Sequence, residues 1–132
     1  MKIKICGLTR HEDVERCVEL GATHLGFVIE PNTPRHVTPA QAGELAASLP
    51  KDRTPVLVAR STKHIDVREA MSSSEVCTLQ LHSFDEEEAS ALEADGLRVH
   101  RVHSASDSTG SLVRFDPPPA LDRLRQSPNS TC

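Results

Sequence analysis

Short apolar runs alternate with amphipathic stretches along most of the chain. The apolar runs predict five strands, at residues 2–6, 23–29, 55–59, 76–82 and 97–103. Between them, apolar residues at helical spacing predict four helices, at residues 11–20, 39–49, 63–72 and 85–95. Strand–helix alternation of this kind indicates βαβ units and therefore an α/β fold with a parallel sheet.

Start and stop signals support the helix boundaries. Gly21 and Gly96 follow the first and fourth helices, as expected of residues that end a helix. Thr38 is a good N-cap residue, and Pro39 suits the first helical position.

The alternation of predicted strands and helices weakens after His103. Residues 104–111 form a polar stretch rich in Ser, and residues 112–116 are compatible with a short strand. The prolines at 117–119 interrupt that strand, and the composition of residues 126–132 is typical of disorder. We therefore divide the chain into an α/β unit over residues 1–103 and a divergent or truncated tail over residues 104–132.

Composition narrows the class of protein. The chain is 37% hydrophobic and 26% charged, as is usual for a soluble domain. Its net charge of -4 gives no general attraction to nucleic acid or to anionic membranes, and no apolar stretch approaches the length of a membrane span. The four cysteines have the spacing of neither a zinc site nor a small disulfide framework, which favours a reduced, cytoplasmic setting without a metal.

The candidate functional residues stand where the predicted strands end. Parallel α/β folds place their sites at the carboxyl ends of strands. The residues at those ends are Cys6, the loop 31–37, Arg60, Ser61, Gln80, His82, Arg101 and His103.

Cys6 is the candidate catalytic residue. It shares a strand face with Lys4, and we expect the opposite face, with Ile3 and Ile5, to meet the helices. Cys6 should then point into the interior of the fold near its mouth. A nearby cation favours a thiolate, the form in which cysteine acts as a base or nucleophile. A buried structural thiol is the alternative interpretation.

The candidate binding residues are Arg35, Gln80 and His82. Arg35 lies in a loop braced by prolines, where a guanidinium can hold a carboxylate or phosphate with two hydrogen bonds, or can be an ordinary solvated charge. Gln80 and His82 alternate with leucines, so both should face the interior, although His82 can also be a structural histidine. His100 and His103 should face opposite ways, which argues against a metal site.

Three motifs, in order over residues 2–83, resemble one family. KICGLTRHEDV at 4–14 resembles the opening of the phosphoribosylanthranilate isomerases. LGFVIEPNTPRHVTPAQAGELA at 25–46 is similar to the second strand, S-P-R-x-V loop and second helix of that family. LQLHS at 79–83 is similar to its Q-L-H-G strand.

The resemblance implies a partial (β/α)8 TIM barrel with about four βα units and a fifth strand. It implies an Amadori rearrangement of N-(5-phosphoribosyl)anthranilate in tryptophan biosynthesis, with this phosphosugar–anthranilate as the small-molecule partner and no cofactor. It puts the general base at Cys6, Arg35 in the substrate-binding loop, and Gln80 and His82 at the barrel mouth.

Several positions depart from the family pattern. Ser83 stands where the family usually has Gly, and Arg60-Ser61 replaces a position where Asn is common. The family's general acid is an Asp at the end of its sixth strand, followed by a G-G-T-G-like phosphate loop. Asp107 and Asp116 stand in segments that only faintly resemble this region, and Asp107 follows strand five too closely to leave room for a helix and a sixth strand.

A complete barrel takes roughly 200–250 residues, against 132 here. We therefore expect a truncated or frame-shifted end, weak activity at best, and self-association through open sheet edges. The alternatives are another phosphosugar-handling barrel enzyme and a non-catalytic barrel remnant or interaction module.

Overall fold

Strands and helices alternate along the chain as the hydrophobic pattern predicts. The computed structural model describes residues 1–63, 65–104 and 113–116. The strands are β1 Lys4–Cys6, β2 His24–Val28, β3 Thr54–Ala59, β4 Thr78–Leu81, β5 Arg98–Ser104 and β6 Val113–Asp116, and the helices are α1 His11–Glu19, α2 Pro39–Ala47, α3 Val67–Ser74 and α4 Glu86–Ala94. The five predicted strands and four predicted helices are thus confirmed, with shifts of up to four residues at their ends.

All six strands form one sheet in the order β1-β2-β3-β4-β5-β6. The first five strands are parallel, as predicted for an α/β fold. The short strand considered for residues 112–116 is present as β6, and it pairs with β5 in the antiparallel direction. A short connection permits an antiparallel pair, whereas a parallel neighbour needs a crossover of about a dozen residues or more. The rest of the proposed tail lies outside the described residues.

Side-chain caps set where α2, α3 and α4 begin. Thr38 accepts a hydrogen bond from the Gln41 backbone N–H at 3.1 Å, and the Gln41 side chain accepts one from the Thr38 N–H at 2.9 Å. This capping box and Pro39 start α2 at the predicted place. The Asp66 carboxylate caps α3 through the Glu69 N–H at 3.1 Å, so α3 begins four residues later than predicted.

The two faces of the sheet differ in chemistry. The helix face carries the apolar core, with the side chains of Leu25, Phe27, Leu57, Leu79, Leu81 and Val99 fully buried beneath the helices. The opposite face, which we call the interior face, is defined by Lys4, Cys6, His24, Gly26, Val56, Val58, Thr78, Gln80, Arg98 and His100. Strand register aligns these residues in rows, such as Cys6 with Gly26 and Gln80 with His100. The fold therefore gathers polar groups from distant parts of the chain on one face.

Strand β1 departs from the expected packing. Its helix-face residues, Ile3 and Ile5, were expected to meet helices, but they remain 39% and 38% exposed, so that expectation is wrong. The physical reason is position: within the described part of the chain β1 is an edge strand that pairs with β2 alone. The described helices include none long and apolar enough to cross a membrane.

Candidate active site at the carboxyl ends of the strands

Cys6 ends β1 on the interior face, next to Lys4. The neighbouring residue on β2 is Gly26, and a Cβ added there would lie 3.2 Å from Cys6 Sγ and 3.3 Å from Lys4 Cε. Both side chains therefore lie against one backbone position that has no side chain of its own. The thiol is free and exposed, so the alternative of a buried structural cysteine does not hold for Cys6.

The Arg35 side chain lies across Gly7, the residue that follows Cys6. A Cβ added to Gly7 would lie 2.6 Å from Arg35 Cδ and 3.0 Å from its Nη1. Gly7 also has a φ of 85°, a backbone conformation that residues with side chains rarely adopt. Gly7 therefore leaves room for the Arg35 side chain just after the strand that carries Cys6.

The loop that carries Arg35 folds back on the strand it follows. The Val37 N–H donates to the Val28 carbonyl at 2.9 Å, and the Thr33 hydroxyl donates to the Glu30 carbonyl at 3.1 Å. The Glu30 carboxylate accepts a hydrogen bond from the Arg60 N–H at 2.8 Å. These bonds tie the segments after β2 and β3 together, and they hold Arg35 at the carboxyl edge of the sheet.

Gln80 and His82 lie at the end of β4, and Gln80 contacts Lys4 across the interior face. Gln80 is buried, and its Oε1 accepts a hydrogen bond from Lys4 Nζ. Its Nε2 lies 3.3 Å from Nε2 of His82, whose ring is exposed at the edge. The leucines that alternate with this pair, Leu79 and Leu81, are fully buried on the helix face, as expected from the strand period of two.

Burial lowers the pKa values of two of these groups. Partial burial lowers the pKa of Lys4, and the charge of Cys6 offsets part of that effect. Partial burial also lowers the pKa of His82, and the positive charges of Lys4 and Arg60 lower it further. His82 is therefore a neutral imidazole near pH 7.

Two further histidines lie on the interior face, closer to the amino ends of the strands. The ring centroids of His24 and His100 are 6.3 Å apart. Burial, followed by the charge of His24, lowers the pKa of His100 to about 4. Among the residues that the structure describes, no group of three or more His, Cys, Asp or Glu side chains is placed to hold a metal ion.

Not every candidate residue at a strand end belongs to this group on the interior face. Arg101 points to the helix face, where its guanidinium forms two hydrogen bonds with the Glu93 carboxylate, at 2.7 and 3.0 Å. Asp116 ends β6 and pairs in register with Arg101, whereas Asp107 and the side chain of His103 fall outside the described residues.

The cysteines differ in state. Cys6 and Cys17 are free thiols, but Cys77 is disulfide-bonded, which the reduced setting expected from the cysteine spacing did not predict.

The geometry groups the predicted site residues into two pairs at one edge. Arg35 lies against Gly7, next in sequence to Cys6, while Gln80 contacts His82. Lys4 links the pairs, because it lies beside Cys6 and donates to Gln80. The sequence showed that Lys4 shares a face with Cys6, and alternation along β4 was the available signal that Gln80 faces the same space.

Sequence and structure comparisons converge on one group of proteins. The sequence profile of the N-(5'-phosphoribosyl)anthranilate (PRA) isomerase family matches residues 3–118. An N-(5'-phosphoribosyl)anthranilate isomerase from Methanothermobacter marburgensis is 40% identical over 89 residues, which cover 67% of this chain and 39% of that protein.

Solved structures agree with this result. A phosphoribosyl anthranilate isomerase from Thermus thermophilus superimposes with a TM-score of 0.72 at 28% identity, over 83% of this chain and 55% of its own. A phosphoribosyl anthranilate isomerase in complex with reduced 1-(o-carboxyphenylamino)-1-deoxyribulose 5-phosphate gives the same TM-score and identity, over 81% of this chain and 55% of its own. The chain spans about half the length of these solved structures and less of the Methanothermobacter protein. The superposition supports the partial TIM barrel that the motifs implied.

Proposed function

This chain belongs to the N-(5'-phosphoribosyl)anthranilate isomerase family, and on that premise we propose that its strand ends bind N-(5'-phosphoribosyl)anthranilate and isomerise it. The product would be 1-(2-carboxyphenylamino)-1-deoxyribulose 5-phosphate. The reaction is an aldose–ketose isomerisation of tryptophan biosynthesis.

One observation carries this proposal: the Arg35 side chain lies across Gly7, the residue that follows the exposed Cys6 in sequence. A thiolate can accept a proton, and a guanidinium can hold a carboxylate through two parallel hydrogen bonds. The substrate has both features that this pair needs, an anthranilate carboxylate and a sugar carbon that must lose a proton. Gln80 and His82 add hydrogen-bonding groups on the other side of Lys4.

The proposed chemistry consists of proton transfers within one molecule. A general acid protonates the furanose ring oxygen, the bond from that oxygen to C1 breaks, and the nitrogen lone pair forms the iminium. Cys6, as the general base, then takes the proton from C2, and the electrons of that bond form the C1–C2 double bond while the nitrogen becomes neutral. Return of a proton to C1 and loss of the C2 hydroxyl proton yield the ketone. Since these steps exchange only protons, no cofactor takes part in them.

The general acid is not assigned to any residue that the structure describes. Because that acid starts the reaction, we expect slow turnover by this chain even where binding through Arg35 is intact. A non-catalytic binding module is the second possibility, and it differs from slow catalysis in one respect: it would bind the analogue with no measurable turnover.

We further propose that the protein acts in the cytoplasm and associates through the edge of β1. The backbone of β1 pairs only with β2 among the described strands, and Ile3 and Ile5 are more than one-third exposed. Unpaired strand edges promote association. Sedimentation velocity over a range of concentrations should show oligomers, and a concentration-independent monomer would contradict this part of the proposal.

The decisive assay follows the loss of substrate fluorescence as the anthranilate amine rearranges. We expect weak turnover that Cys6→Ala abolishes, because the proton acceptor is lost. The matched control is Cys17→Ala, which removes the second free thiol of the described residues from a partly buried position on α1, away from the sheet edge. Equal turnover in the Cys6→Ala and Cys17→Ala variants would contradict the assignment of the base.

A further inference from the structure

A row of three polar side chains crosses the interior face from β1 to the end of β4. Lys4 Nζ donates to Gln80 Oε1, and Gln80 Nε2 lies 3.3 Å from His82 Nε2. Lys4 and Gln80 are separated by 76 positions in sequence, so this contact exists only in the folded sheet. Gln80 is 7% exposed, and its amide therefore relies on these neighbours for hydrogen bonds.

The chemistry of these groups fixes which atom donates and which atom accepts in each hydrogen bond of the row. A lysine ammonium has three donors and no acceptor, so the side of the Gln80 amide that faces it must be the carbonyl oxygen. The amide NH2 then faces His82 and can only donate. The His82 Nε2 atom must accept that hydrogen bond, and in a neutral imidazole the single proton therefore resides on Nδ1.

We propose that Lys4, acting through Gln80, is a positioning residue that fixes His82 as its Nδ1–H tautomer and so presents a neutral N–H donor at the carboxyl edge of the sheet. The lowered pKa of His82, caused by burial and then by Lys4 and Arg60, agrees with a ring that is neutral near pH 7. His82 is exposed there, which leaves its ring within reach of a bound molecule.

The consequence for substrate recognition rests on the proposed function. A donor fixed at this edge selects ligands that bring an acceptor oxygen, such as a sugar hydroxyl or ring oxygen, and it discriminates against groups that only donate. Lys4 would then serve both pairs of the site, with its charge beside Cys6 and its hydrogen bond setting the proton on His82.

The test reads the tautomer directly in the free protein. Two-bond 1H–15N correlation spectra of 15N-labelled full-length chain distinguish a protonated from an unprotonated ring nitrogen, and His82→Gln identifies the signals of this ring. We expect an Nδ1–H pattern for His82 above its pKa. The substitution Gln80→Glu places an acceptor at both ends of the side chain, so the pattern should invert to Nε2–H and the pKa of His82 should rise.

Two variants separate the hydrogen-bonded row from simple charge effects. Lys4→Met removes the donor that orients the amide, and the spectra should shift toward a mixture of tautomers, whereas Lys4→Arg should retain the Nδ1–H pattern. Arg60→Met removes the other cation that lowers the His82 pKa without touching Gln80, so it should raise that pKa and leave the tautomer unchanged.

The outcomes are independent of catalysis. An Nε2–H pattern in the unmodified chain, or a pattern that Gln80→Glu leaves unchanged, would overturn the proposal. Because no substrate is present, an inactive chain with the expected spectra would contradict the isomerase function alone. An active chain with the wrong tautomer would contradict the role of Lys4 alone.

Discussion

The two faces of the sheet are built from alternate residues of the same strands, yet they differ in almost every property. On the helix face, Phe27 and Leu57 are fully buried in a continuous apolar core. On the interior face, Lys4, Gln80 and His100 bring charge and hydrogen-bonding groups to the same strands. Because side chains alternate between the two faces of a sheet, one residue of a strand can stabilise the core while the next residue faces the site.

Truncation of a core residue should have the largest effect. We expect Phe27→Ala to lower the free energy of unfolding by about 3–5 kcal/mol, because a buried aromatic ring is lost and a cavity remains. Urea denaturation followed by circular dichroism measures this free energy of unfolding. The control from the other face is Cys6→Ser, which should change the stability by less than about 0.5 kcal/mol because Cys6 is exposed. Equal losses of stability in the two variants would contradict the proposed difference between the two faces.

Removal of the ion pair on the helix face should have the second-largest effect on the free energy of unfolding. The Arg101 and Glu93 side chains are 11% and 24% exposed, so removing one partner leaves a poorly solvated charge. We expect Arg101→Met to cost about 2–3 kcal/mol, somewhat less than a fully buried pair. The double variant Arg101→Met, Glu93→Leu should recover part of this loss in the same denaturation experiment. A double variant less stable than the single one would show that the pair does not act as a unit.

The pH dependence of stability should report on the interior face. Burial lowers the pKa of His100 in the folded protein from 6.5 to about 4, so between these values the unfolded chain binds more protons. The stability should therefore be complete above about pH 6.5 and should fall as the pH drops toward 4. We expect a decrease on the order of 1–2 kcal/mol, since water partly reaches this face.

The groups that face His100 set the controls for this titration. His24 is the leading charged neighbour, followed by Lys4, Arg98 and Lys2. The variant His100→Gln should flatten the dependence, whereas the exposed-surface variant His11→Gln should leave it unchanged. Equal pH profiles for His100→Gln and the unmodified chain would contradict the assignment.

The smallest effect on stability should come from Gly26. An added methyl group would lie 3.1 Å from Cys6 Cα and 3.2 Å from its Sγ, so Gly26→Ala must displace β1 slightly, at a cost of about 1 kcal/mol. The rate of Cys6 alkylation by iodoacetamide, followed by peptide mass spectrometry, should change several-fold. Gly21→Ala is the matched control, because its φ of 94° causes a similar loss of stability with no atom within 4 Å of the new Cβ. An equal change in alkylation would show that Gly26 has no particular relation to Cys6.

Local patterns were sufficient to predict most of the fold. Alternation placed Gln80 opposite Leu79 and Leu81, and Thr38 with Pro39 marked the start of α2, because caps and strand periodicity depend on neighbours in sequence. The predicted start of α3 lies four residues too early, because the helix begins only after its cap at Asp66.

Features that depend on distant contacts could not be predicted in this way. The exposure of Ile3 and Ile5 follows from the place of β1 at the sheet edge, which its own residues do not encode. The hydrogen bond from Lys4 to Gln80 and the position of Arg35 over Gly7 both arise from strand order. The roles of Cys6, Arg35, Gln80 and His82 stay predictions, since they rest on motif resemblance and geometry.

Binding of a product analogue tests the central claim most directly, because it asks whether the polar edge of the interior face is a site at all. Isothermal titration calorimetry with reduced 1-(o-carboxyphenylamino)-1-deoxyribulose 5-phosphate would be run on the full chain and on Arg35→Ala, with the exposed Arg68→Ala as the matched control. We predict measurable binding that Arg35→Ala weakens about tenfold or more, as expected for loss of a charge-assisted bidentate contact, while Arg68→Ala leaves it unchanged. Absence of binding, or equal binding by the Arg35→Ala and Arg68→Ala variants, would contradict the account.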